Sequence, residues 1–147
     1  MGNQWGANLS TIAPQQLIAG GDVACPAGTS TPITTGQSTL LVNPGGYVVI
    51  VDCTIAILLG ATPPTNITVQ LTINNGATLN TYNVPPALLV AGATILVPIR
   101  MVAPEVTSIF APPGAPVNIL LRPTAQAVTF KAIGSSAWLR IERGPDI

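Results

Sequence analysis

The residues able to do chemistry are few. The chain has five acids (Asp22, Asp52, Glu105, Glu142 and Asp146), five Lys+Arg, two cysteines and no histidine. Without histidine there is no general base of the commonest kind, and Ser-His-Asp and Cys-His arrangements are excluded. Cys25 and Cys53 lack the CxxC spacing of a zinc site, and no D-x-D-x-D-G calcium loop occurs. A two-carboxylate glycosidase needs only acids brought together by folding. Such sites also stack sugars on aromatics, and this chain has two Trp, two Tyr and two Phe. No glycine-rich phosphate loop opens a helix. The sequence therefore assigns no catalytic residue, no metal ligand and no cofactor, and a hydrolase is the disfavoured reading.

Five residues bear on structure or contact instead. A Cys25–Cys53 disulfide would close a loop of about 29 residues and contribute about 3.6 kcal/mol. Alternatively Cys53, which shares parity with Tyr47, Val49 and Val51, is a small buried hydrophobe. Asp52 and Arg100 interrupt strongly apolar stretches, where a charge needs a partner or an exit to solvent; an Asp–Arg pair answers that need. Trp138 falls on the polar parity of its strand. It is either an interface anchor, since Trp is enriched at hot spots, or a ring covered by another segment.

The elements that must position these residues are strands. Asn66–Ile73 alternates strictly, with Ile67, Val69, Leu71 and Ile73 opposite Asn66, Thr68, Gln70 and Thr72. Asn74-Asn75-Gly76 then supplies a tight hairpin turn into a return strand over 77–84. Residues 47–59 are apolar on both faces, as in a strand in the middle of a sheet or at a subunit interface. Residues 94–102 alternate, with Pro98 marking an edge or a bulge. Further strands are predicted over 29–42, 117–122, 127–133 and 136–143, with a turn at Gly134-Ser135 and with Leu139 and Ile141 facing inward. No helix survives the Pro and Gly punctuation. The prediction is an all-β, two-sheet antiparallel β-sandwich over 29–147.

Residues 1–28 show neither period and are read as an extended N-terminal arm. Trp5, Leu9, Ile12, Leu17 and Ile18 would be odd in a solvated tail, so the arm is expected to dock on a neighbouring subunit and to serve attachment more than the fold. The start lacks the basic and apolar regions of a signal peptide and the myristoylation pattern. Asn8-Leu9-Ser10 and Asn66-Ile67-Thr68 match the glycosylation acceptor pattern, as chance allows in a chain with 17 Thr and 9 Asn.

Ten charged residues stand where an average domain of this length has about 37. Net charge is zero, which leaves no footprint for nucleic acid or an acidic membrane. The longest apolar run is too short, and too interrupted by Asp52 and Thr54, to span a bilayer. So little charge leaves more apolar surface than a monomer normally exposes, and self-association is expected.

Three segments carry a family resemblance over roughly 29–143. Ser38–Tyr47 reads as a strand, a Pro-Gly turn and a Gly-Tyr opening; Leu89–Thr94 holds an Ala-Gly-Ala-Thr turn; Ser135–Arg143 reads as a closing strand with a small polar start. In these the chain resembles the TNF/C1q-like jelly rolls. The resemblance implies a sandwich of jelly-roll type that forms a compact homotrimer. Charge-poor, Thr/Asn-rich members with an N-terminal arm resemble capsid decoration or head-fibre proteins of phages. The expectation is thus a structural virion protein, made in the host cytoplasm and placed on the capsid surface. Its partners are itself and the major capsid protein. The alternative is a carbohydrate- or receptor-binding module of a tail or spore surface, for which Asn80, Tyr82 and Asn83 are the one candidate cluster.

Overall fold

A computed structural model describes residues 11–16, 20–34, 46–73, 77–107 and 117–143. The strands are β1 (Thr11–Gln16), β2 (Val23–Cys25), β3 (Thr31–Pro32), β4 (Gly46–Leu59), β5 (Asn66–Ile73), β6 (Ala77–Asn83), β7 (Thr94–Thr107), β8 (Val117–Thr124) and β9 (Val128–Arg143), with one 3-10 turn at Pro86–Leu88. One sheet runs β1-β9-β4-β7, with β2 also on β9, and the other runs β3-β8-β5-β6. All pairings are antiparallel.

The pairing is nested. β1 and β2 join β9, β3 joins β8, β4 joins β7 and β5 joins β6. Successive pairs fall in opposite sheets. That is one long hairpin, turned at β5–β6 and rolled into two layers, which is a jelly roll. It meets the predicted fold class.

Period-two patterning decides which side chains line the interior. Val51, Cys53, Ile55, Ile57 and Leu59 of β4 meet Ile67, Val69 and Leu71 of β5 between the layers, with Val97, Met101, Ile119, Leu121, Phe130 and Leu139. β4 is the mid-sheet strand its two-sided apolar pattern predicted, flanked by β7 and β9. Leu139 is buried as expected; the side chains of Ile141 and Glu142 lie outside the described residues. So do the Asn74-Asn75-Gly76 turn and residues 38–45 of the first resemblance segment. In the second, Gly92 has φ +70, and its N–H donates to the Gly60 carbonyl at 2.8 Å, seating the turn on the end of β4.

Two expectations are corrected. The segment before residue 29 is not free of strands. Thr11–Gln16 and Val23–Cys25 both pair with β9, so sheet structure extends across the expected arm boundary. An edge strand is held by backbone hydrogen bonds along one side only, and it needs no alternating apolar pattern to form. Gly134-Ser135, read as a turn, sits inside one continuous β9. Residues 128–131 and 136–143 both pair with β4, where Thr54↔Ser136 is followed by Ala56↔Lys131. Residues 132–135 therefore leave the ladder as a bulge, opposite Ile55 alone.

Candidate functional site

The two sheets present different outer faces. On the β3-β8-β5-β6 sheet the described outward residues are mostly polar, and several pair with one another. The Ser30 hydroxyl lies 3.0 Å from Gln70 Oε1, Asn66 Nδ2 is 3.4 Å from Thr68 Oγ1, and Thr68 Oγ1 is 3.4 Å from Asn83 Oδ1. The β1-β9-β4-β7 sheet instead exposes Trp138 at 48%, Leu96 at 58% and Ile133 at 90%, together with Leu58 and Val102. Water normally faces polar side chains on an antiparallel sheet, so this second face is the candidate interaction surface.

Its geometry follows from register. Trp138, Asp52 and Arg100 lie in one row across β9, β4 and β7. Arg100 Nε stands 3.7 Å from Asp52 Oδ1, the anticipated pair, and both side chains are more than half exposed. An exposed pair of this kind contributes about 0–1 kcal/mol. Beside it is an open depression of about 460 Å³ lined by Cys53, Thr54, Pro98, Ile99 and Ser136 with that row. Trp138 is half exposed, so β1, which pairs Gln16 with it, does not cover the ring.

The β9 bulge crosses this face. Ala56 has outward parity yet is 1% exposed, and a Cβ built on Gly134 would lie 3.7 Å from both Ala56 Cβ and Leu96 Cδ2. The Ser135 hydroxyl closes the bulge, donating to the Lys131 carbonyl at 2.6 Å and accepting the Ala56 N–H at 2.8 Å. Asp22 holds its other end: Oδ1 accepts the Ala132 N–H at 2.9 Å and Oδ2 accepts from Lys131 Nζ. The hydrogen bond from Lys131, then that from Ala132, holds the Asp22 carboxyl below its ordinary range. Sequence reasoning missed this clamp. Asp22 in a Gly-Gly-Asp stretch carries no sign of a partner 109 residues on.

The candidate disulfide is corrected. Cys25 and Cys53 are separate, buried thiols. Cys25 pairs with Val128, Val128 with Leu59, and Cys53 lies six residues back along β4. That is about 20 Å of strand, where a disulfide needs Cα atoms within about 7 Å. Burial raises both thiols; Cys53, with the Asp52 charge adding to burial, is pushed up to about 12.

Of the other predicted contact residues, Trp5, Leu9, Leu17 and Ile18 lie outside the described residues. Ile12 is in β1, opposite Ile141. The Asn80–Tyr82–Asn83 cluster comes apart: Asn80 Nδ2 donates to the Val102 carbonyl at 2.9 Å, Tyr82 packs on the core, and Asn83 faces outward on Thr68. Among the described residues, no three Cys, Asp or Glu side chains gather at a metal-binding distance, and no helix is long and apolar enough to cross a membrane.

No protein-family model matches the chain, and no curated protein matches it in sequence. Among solved structures it is similar to Eiger TNF from S. frugiperda, at 13% identity and a TM-score of 0.48, covering 94% of this chain and 95% of that one. It is also similar to the VP2 subviral particle of infectious bursal disease virus, at 14% identity and a TM-score of 0.41, covering 92% of this chain. The T13 particle of that virus gives 12% identity and 0.41 over 93% of this chain. The chain spans 38% and 36% of those two viral chains. Likenesses this remote carry no argument about ligands or partners. On its own strand pairing the chain is a two-sheet jelly roll.

Proposed function

We propose that the chain is a structural virion protein, a capsid decoration or head-fibre subunit that assembles as a homotrimer and acts by binding, not catalysis. The observation that carries the assembly is the unequal pair of outer faces. One sheet carries Thr, Asn and Gln that pair with one another; the other exposes Trp138, Leu96 and Ile133 beside the Asp52–Arg100 pair. A face with so few charges loses little desolvation energy when buried against identical copies. In this reading Trp138 is an interface anchor, while Trp5, Leu9, Ile12, Leu17 and Ile18 contact the capsid lattice or a neighbouring subunit. The major capsid protein is the second partner, and the location is the capsid surface.

Two measurements test it. Light scattering on the purified chain reads the assembly, with a trimer expected. Negative-stain images of the chain mixed with empty capsids read the decoration, with regular added density expected. Bare capsids at saturating protein would remove the virion role and leave only a self-assembling jelly roll.

A further inference from the structure

The apolar face carries a projection and a depression side by side. The projection is the 132–135 bulge, with Ile133 at its crest and 90% exposed. Its backbone is pinned at both ends, by Ser135 to Lys131 and Ala56 and by Asp22 to Ala132. An isoleucine held out to water on so constrained a backbone is presented, not left over from a loose loop. The depression begins at the next residues of β9, Ser136 and Trp138, and is also lined by Cys53, Ile99 and Pro98.

We propose that Ile133 of one copy seats in the depression beside Trp138 of a second copy. The inference rests on the self-assembly reading and names the contact within it. Charge selects the occupant. The described charges of this face form two neutral pairs, Asp52 with Arg100 and Asp22 with Lys131. These two pairs offer no excess of either sign to a polyanion or a strongly basic partner, whereas a second copy meets each sign with its opposite. The 3.7 Å Arg100–Asp52 contact is longer than a hydrogen bond, so both groups retain bonding capacity for the same pair on a neighbour. Each copy carries both this projection and this depression, so every copy in a closed ring uses each once.

Edge pairing is the competing mode of assembly, and Pro98 opposes it. The Val102 carbonyl takes a hydrogen bond from Asn80, away from β4. The alternate residues of β7, including Pro98, therefore point their backbone groups to the free edge. A proline there removes a donor from any added strand.

The test compares wild type, Ile133→Asp, Trp138→Ala and Val90→Asp by sedimentation over a concentration series. Val90 is 55% exposed and lies off this face, in the turn before β7. Ile133→Asp and Trp138→Ala should each weaken self-association about 30-fold or more, as hot spots do, with their thermal transitions retained; Val90→Asp should leave it unchanged. Combining Ile133→Ala with Trp138→Ala should cost less than the sum of the two, because both remove one contact. A wild type that stays monomeric overturns the self-assembly reading and this contact with it. An oligomeric wild type whose Ile133→Asp variant associates equally well, or whose Val90→Asp variant dissociates equally, overturns this contact alone.

Discussion

Cys53 is where burial and charge act together on one atom. Its pKa, raised from 9.0 to about 12, leaves the thiolate about a thousandfold scarcer near pH 8 than in an ordinary thiol. Neither cysteine should react with a thiol reagent in the native protein, and both should react after denaturation. A mass two hydrogens lighter after air oxidation of the folded chain would contradict the separation of Cys25 and Cys53. Asp22 behaves in the opposite sense. Its carboxyl is held below 3.8 by Lys131 and then by Ala132, so the folded state binds that proton less readily than the unfolded state does. The stabilisation is therefore present above about pH 3.8 and is lost as pH falls through the lowered value. Asp22→Asn should flatten that acid limb by lowering stability above about pH 3.8 towards its acid value, a small change because the group is exposed. Acid titration of the urea midpoint reads both effects.

The β9 bulge is the element on which the face depends. Ser135→Ala removes the acceptor of the buried Ala56 N–H and one donor, at a cost of about 1–3 kcal/mol in the urea midpoint. Leu139→Ala, with 1% exposure, should cost about 2–5 kcal/mol. Arg122→Ala, on the polar outer face, should change stability by less than about 0.5 kcal/mol. Equal losses at 139 and 122 would contradict the burial of Leu139 between the sheets. Strand patterning was legible where the apolar residues alternate, as in Asn66–Ile73, or run on both parities, as in 47–59. It failed at Gly134-Ser135 because composition reports a local backbone need, here φ +89 at Gly134, but not which strand each flank will join. Thr11–Gln16 was illegible for a related reason: an edge strand pairs through its backbone. Trp138's outward parity could be read from the sequence; the depression beside it could not, because it needs β4, β7 and β9 in register.

At the scale of the whole molecule, the chain is one rolled hairpin whose two outer faces differ in kind. The polar face pairs several of its side chains with one another, and the apolar face leaves large hydrophobic side chains exposed. A monomer at working concentration would leave Trp138, Leu96 and Ile133 in water together, which a structure of this size rarely tolerates outside a functional patch. Self-association through that face is the central claim, and the mass of the purified chain in dilute neutral buffer tests it most directly. Multi-angle light scattering at micromolar concentration should return three times the 15.0 kDa chain mass. A single species at 15.0 kDa would contradict it.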